Sequence, residues 1–225
     1  HKQKKEMVSQ ILDGDCYKII DRKKTWVKIR IEWDGYEGWV TQPQIKEVSE
    51  KDYHEIISTD TIISSDIINY VSSHDNLLFP ILIGSDLRVL EKLNHTFDGE
   101  TYSPKPNKKK LSKTAFMYLN SPYLWGGRTP LGIDCSGFTQ IVYKINGVKL
   151  SRDAHQQANQ GQTLSFIEES EAGDLAFFDD SEGKIVHVGL LLENHCIIHA
   201  HGTVRIDQID QTGIYNGSAH THKLR

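Results

Sequence analysis

The chain has 225 residues, 38% of them hydrophobic and 25% charged, with a formal charge of −4; at roughly 100–200 residues per domain this accommodates one catalytic domain and a smaller module, and it excludes a disordered chain. The mild negative charge and scattered basic residues exclude a broad electropositive surface, so nucleic acid is not an expected partner. No window approaches the roughly 18 apolar residues of a membrane span, and the three cysteines, Cys16, Cys135 and Cys196, form neither a disulfide framework nor a metal-binding CxxC spacing. The basic start, His1 to Lys5, has no apolar signal core behind it, and the first residue is His and not Met. The compartment therefore stays open: cytoplasm, or periplasm and exterior after signal removal.

In chain order, Tyr17 to Ile20, Trp26 to Ile31 and Tyr36 to Val40 are short alternating runs separated by Asp, Gly and Lys turn material, the spacing of a small all-β barrel. Asp34-Gly35 supplies a turn between strands. The ending Asp34-Gly35-Tyr36-x-Gly38-Trp39-Val40 resembles a bacterial SH3-like domain. From Glu47 to Asn94 the pattern weakens into expected weak strands at Ile62 to Ile68 and Phe79 to Ile83, a degenerate second barrel or linker. Phe97 to Lys110, with Gly99, Pro104, Pro106 and four lysines nearby, reads as an exposed linker. The expected domains are thus 1–50, 51–105 and 106–225.

Beyond the linker, Leu111 to Leu119 fits a helix with Ala115, Phe116 and Leu119 on one face, and a Pro- and Gly-rich loop follows to Ile133. Asp134 opens a second helix in which Phe138, Ile141, Val142 and Ile145 recur at helical spacing, ended by Asn146-Gly147. Cys135 therefore sits at a helix N-terminus. Ala154 to Gln160 reads as a short helix. Asp174 to Phe178, Ile185 to Leu192, Cys196 to Ala200 and Thr203 to Ile206 read as antiparallel strands with turns at Glu182-Gly183 and Glu193-Asn194.

A cysteine attacks as its thiolate, and a helix N-terminus or a neighbouring imidazole lowers its pKa. His187 and His199 lie on neighbouring predicted strands, so His187 can pair with the Cys135 thiol while His199 orients the ring from its other nitrogen. Taken singly, each has a plainer reading: Cys135 as a small core residue, His187 as a core histidine satisfied by backbone. Strand alternation does not separate His199 from His201, because both face one side.

Six motifs, in order, resemble the NlpC-type cell-wall cysteine peptidases, a papain-like family: Tyr123-x-Trp125-Gly126-Gly127, Asp134-Cys135-Ser136-Gly137-Phe138, Arg152-Asp153 with Gln157, Gly173-Asp174-Leu175, His187-Val188-Gly189 and His199-Ala200. The resemblance covers about residues 111 to 210 and implies an α+β chain. Its papain-like catalytic domain, helices packed on an antiparallel sheet, follows the SH3-like barrel. It selects Cys135, His187 and His199 as catalytic residues. It implies hydrolysis, through a thioester, of γ-D-glutamyl bonds to a diamino acid in peptidoglycan-derived peptides that begin L-Ala-γ-D-Glu, without cofactor or metal. The Cys135 N–H and the Tyr123 hydroxyl would stabilise the oxyanion; Asp134 would bind the substrate amine, and Ser136 and Arg152 the D-glutamate α-carboxylate. In relatives requiring a free N-terminal alanine the SH3-like domain closes one end of the cleft, and Glu6 and Tyr36 are the candidates for that role here. One departure is Ala154, where many relatives carry Ser. The competing readings are an amidase or acyltransferase using the same Cys and His pair, and a non-catalytic wall-binding protein.

Overall fold

The computed structural model describes residues 6–216 and 221–224, with side chains through Tyr215; the basic start His1 to Lys5 lies outside the described residues. The chain forms two compact units, one of residues 11–104 and one that joins the residues up to Gln10 to those from Lys105 onward.

In the unit of residues 11–104, β1 (Tyr17–Lys23), β2 (Trp26–Ile31) and β3 (Glu37–Thr41) form an antiparallel sheet in that order. Alternation in β2 buries Val27, Ile29 and Ile31, against which Tyr17, Tyr36 and Val40 pack. Its other face puts Lys28 and Arg30 2.6 and 2.7 Å from the Glu37 carboxylate. The Asp34-Gly35 turn is as expected, with Gly35 at φ +72° and the Asp34 carboxylate accepting from the Tyr36 N–H at 2.9 Å.

The stretch after Glu47 differs from the sequence reading, which expects only weak strands there. It opens with a helix, α1 (Glu50–Ser58), whose cap Ser49 accepts from the Asp52 N–H at 3.1 Å. Only Ile56 of this helix is buried, so no apolar stripe marks it in the sequence. Then β4 (Ile63–Ser64) pairs with β8 (Thr101–Tyr102), while β5 (Ile68–Ser73) lies between β6 (Leu78–Leu82) and β7 (His95–Phe97) around a core of Val71, Ile81 and Leu90. The segment expected as an exposed linker from Phe97 therefore carries a strand.

In the other unit, α2 (Lys108–Phe116) begins three residues earlier than expected, capped by Asn107, whose side chain accepts from the Lys109 N–H at 3.1 Å. It buries Leu111, Thr114 and Ala115 and leaves Phe116 half-exposed. Lys108, expected in a solvated basic run, pairs with Glu171 and Asp174 at 3.0 and 2.8 Å. The ladder of β9 (Arg128–Thr129) with β10 (Gly132–Ile133) leads into α3 (Cys135–Ile145), followed by the short α4 (Ala154–Gln157).

Strands β11 (Leu175–Asp179), β12 (Ile185–Leu192), β13 (Cys196–His201), β14 (Thr203–Asp210), β15 (Gly213–Asn216) and β16 (Thr221–Leu224) form an antiparallel meander in sequence order. Helix α3 packs on β12 and β13. Phe138, Ile141 and Val142 of the helix, and Val188, Leu190, Ile198 and Ala200 of the strands, are fully buried. Residues of the opposite parity, Leu191 and Ile197, join Phe178, Ile209 and Ile214 in a second cluster.

One buried ion pair ties α1 to the strands that follow it. Arg88 binds the Asp86 carboxylate at 2.6 Å, and its Nη1 donates to the carbonyls of Ile56 and Thr59 at 3.1 Å each. Both side chains are almost wholly buried. Arg88→Ala leaves that carboxylate unpaired and should cost about 3–5 kcal/mol, read as a lower midpoint in urea unfolding with α1 losing its hydrogen-exchange protection first.

Candidate active site

The loop before α3 is shaped by contacts too close for side chains. A Cβ on Gly127 would lie 2.3 Å from the Gly132 carbonyl oxygen, and one on Gly137 would lie 2.2 Å from that of Gly127. Asp134 then caps the helix, its Oδ1 accepting from the Gly137 N–H at 2.7 Å and its Oδ2 from the Gly126 N–H at 2.8 Å. Cys135 follows as the first helical residue, 7% exposed.

Arg152, 1% exposed, forms a fork-to-fork pair with Asp134 at 3.0 and 2.7 Å. Its remaining N–H groups reach the Ser136 hydroxyl at 2.9 Å, the Ser9 hydroxyl at 3.0 Å and the Gly127 carbonyl at 3.5 Å. All five donors of the guanidinium thus meet protein acceptors. Asp134, Ser136 and Arg152 are therefore brought together, and to one another first. Ser9 comes from the N-terminal segment, whose next residue, Gln10, accepts from the Arg128 backbone N–H and Nη1 at 2.8 Å each. Glu6 is exposed at the start of this segment. Tyr36 belongs to the other unit, where it packs on the Val27, Ile29 and Ile31 core.

The backbone N–H groups of Val188 and Ser136 are aimed at the Cys135 sulfur, which brings the thiol beside the strand that carries His187. His187 Nε2 lies 2.8 Å from His199 Nδ1, with the rings near perpendicular. His199 Nε2 in turn lies 3.1 Å from Asp207 Oδ2, and Asp207 Oδ1 accepts from Arg205 at 2.6 Å. His201, exposed, stacks on His199 at a centroid distance of 6.1 Å without joining the chain of bonds. Tyr123 is 37% exposed, its phenol pushed up to about 12 by burial and then by the nearby Cys135 and Asp134 charges. Trp125, beside it in sequence, is 59% exposed.

The sequence argument expects the helix N-terminus and an imidazole to lower the thiol pKa. The structure reverses the direction. Burial, then the Asp134 carboxylate, push Cys135 up to about 11, and the two N–H groups and Arg152 only partly offset this. Burial, then the neighbouring His199 and His201, push His187 down to about 3. Burial thus favours a neutral thiol at the start of α3 and a neutral imidazole on β12.

Two features escape the sequence reading. Asp207 lies one residue beyond the expected end of its strand at Ile206, so alternation never places it. Gly189 is quoted there only as part of a motif. A Cβ at 189 would lie 2.8 Å from the His199 Cβ and 2.6 Å from Ile197 Cδ1. Its bare backbone is what lets the His199 side chain cross towards His187.

Gly189→Ala should therefore part the two imidazoles while leaving the fold standing: about a tenfold or larger loss of kcat, with a near-unchanged far-ultraviolet spectrum as the control. A second expectation concerns acid. The folded pKa of His187 lies below its unfolded value of about 6.5, so its contribution to stability is full above that value. As pH falls from about 6.5 towards about 3 the unfolded chain takes up a proton the folded chain refuses, and stability is lost. His199, lowered chiefly by burial, adds to this. Guanidinium midpoints at pH 7.5 and 5.0 should differ in that sense, and by less in His187→Gln.

Comparison with known proteins gives a consistent picture. Residues 120–222 match the NlpC/P60 family model, and residues 2–45 match that of the bacterial dipeptidyl-peptidase Sh3 domain. A γ-D-glutamyl-L-lysine dipeptidyl-peptidase of Bacillus cereus is 27% identical, aligned over 87% of this chain and 67% of its own length. The protein of the same name from Bacillus subtilis is 29% identical, over 85% and 71%. The crystal structure of an NlpC/P60 family protein from Bacillus cereus superposes with a TM-score of 0.74 at 24% identity, covering 92% of this chain and 78% of that one, a likeness of fold. With both domain models met in order and relatives aligned along most of both chains, this chain carries an NlpC/P60 domain at residues 120–222 behind a bacterial SH3-type domain at residues 2–45.

Proposed function

We propose that the protein is a cysteine peptidase that hydrolyses the γ-D-glutamyl bond to a diamino acid in peptidoglycan-derived peptides of the form L-Ala-γ-D-Glu-diamino acid. The observation that carries this reading is the Cys135 thiol at the N-terminus of α3 beside a strand whose His187 is held by His199 at 2.8 Å. The bond cleaved is inferred from the names of the two Bacillus relatives.

In this mechanism the Cys135 sulfur attacks the γ-carbonyl carbon as its proton passes to His187. His187 Nε2 is engaged by His199, so Nδ1 is the nitrogen that receives the proton. The carbonyl electron pair moves onto oxygen, where the Cys135 backbone N–H at the helix N-terminus and the Tyr123 hydroxyl stabilise it. Collapse expels the diamino-acid amine, protonated by His187, and leaves a thioester. Water, deprotonated by the same imidazole, then hydrolyses the thioester and restores the thiol.

We assign the D-glutamate α-carboxylate to Ser136 and Arg152, and the N-terminal ammonium to the negative field of Asp134 with Glu6. Because Arg152 already binds Asp134 at both oxygens, the two act on substrate as one preorganised unit. An acetylated amine brings no charge to that site.

The test is incubation with L-Ala-γ-D-Glu-L-Lys and its diaminopimelate counterpart, followed by mass spectrometry. Release of L-Ala-D-Glu from at least one, lost in a folded Cys135→Ala variant, is the expected result; no release from either overturns the reading. N-acetylation of the alanine should slow cleavage by about tenfold or more, because it removes the charge that Asp134 and Glu6 would meet. Equal turnover of the acetylated peptide removes the amine-recognition part and leaves the Cys135 chemistry standing.

A further inference from the structure

Beyond Cys135, His187 and His199, the bonding continues to a fourth group. Asp207 Oδ2 lies 3.1 Å from His199 Nε2, on the strand next to that of His199. Its other oxygen accepts from Arg205 Nη2 at 2.6 Å, and its side chain is 10% exposed. Although burial opposes ionisation, the bonds from Arg205 and His199 hold its carboxyl below the ordinary range, so it is a carboxylate at neutral pH.

A carboxylate only accepts hydrogen bonds. His199 must therefore carry its proton on Nε2, which in the neutral ring leaves Nδ1 as a lone pair. That lone pair, 2.8 Å from His187 Nε2, requires the proton of neutral His187 to sit on Nε2. The lone pair on His187 Nδ1 is then the one left for the thiol proton. Without the carboxylate, His199 is equally able to present an N–H at Nδ1, and His187 would turn over to the tautomer that cannot take the proton from that side.

We propose that Asp207 is a positioning residue that sets the tautomers of both imidazoles and offsets the positive charge that reaches His187 when the thiol proton arrives. The inference rests on the reading of His187 as the base. Among the described residues, Arg205 on the same strand and His199 on β13 bond to Asp207, and His187 on β12 and His201 on β13 lie against His199. Arg205 keeps Asp207 ionised and turned towards His199.

Asp207→Ala should lower kcat on the L-Ala-γ-D-Glu-diamino acid peptide by about 10- to 100-fold, the scale of an outer-shell orienting partner, with KM within about twofold of the parent. Asp207→Glu should recover part of the loss. In a His199→Ala background, Asp207→Ala should cost nothing further, because the group it orients is gone. An independent readout needs no substrate: ¹⁵N shifts of the histidine rings should show His187 and His199 as Nε2–H tautomers in the parent and a mixture in Asp207→Ala. Parent-like kcat in Asp207→Ala, a loss that adds in full to that of His199→Ala, or His199 in the Nδ1–H form in the parent would each overturn the proposal. If the peptide is not cleaved at all, the ring shifts still decide the tautomer assignment, and the failure belongs to the proposed function.

Discussion

The buried pair of Asp134 and Arg152 organises the catalytic unit. A carboxylate removed from water costs several kcal/mol unless its oxygens are matched by donors, and here those donors come from four directions: the Gly126 loop, the first turn of α3, Ser136 and the fork of Arg152. Satisfying that single charge fixes where α3 begins, and so where Cys135 stands. Through Arg152 the same network reaches Ser9, which binds the N-terminal segment to a unit whose other residues begin at Lys105. Residues 11–104 thus fall, along the chain, between the two parts of that unit.

Charge in this enclosed site is kept where it is paired, and not on the thiol or the His187 ring. Burial raises the thiol and lowers the imidazole, each towards its neutral form. In the proposed mechanism, charge appears on the reacting groups only as sulfur attacks; the Cys135 N–H and the Tyr123 hydroxyl would meet the oxyanion, and the bonded chain of His199 and Asp207 would meet the imidazolium. Preorganised dipoles of this kind need no rearrangement when the reaction occurs. The scaffold is α3 packed on β12 and β13, regular elements that hold side chains more closely than loops do.

The chain's own pattern was sufficient for much of this. Helical spacing of Phe138, Ile141, Val142 and Ile145 marked α3, and all four are buried. The apolar run from Ile185 to Leu192 marked β12 at both ends. Cys135, His187 and His199 stood out because their motifs recur in order, although alternation could not choose between His199 and His201. The structure separates them: His199 is 1% exposed and bonded to His187, while His201 is exposed. The SH3-like ending at residues 34 to 40 was legible for the same reason, being a local turn between alternating strands.

What stayed hidden depended on contacts between residues far apart in sequence. Helix α1 has one buried side chain and no stripe, and is held by its Ser49 cap and by Arg88 bonding to the Ile56 and Thr59 carbonyls. Thr101 and Tyr102 looked like linker because their ladder partners lie at Ile63 and Ser64. The direction of the Cys135 pKa followed from burial, which no local rule measures, outweighing the helix terminus that the sequence did reveal. Sequence by itself determined which residues could do chemistry and the elements that bear them, because periodicity and capping are local. Only the tertiary structure decided that Arg152 is matched to Asp134, that Gly189 clears a path for His199 and that Asp207 completes the chain, because each requires strands or loops to be brought within bonding distance.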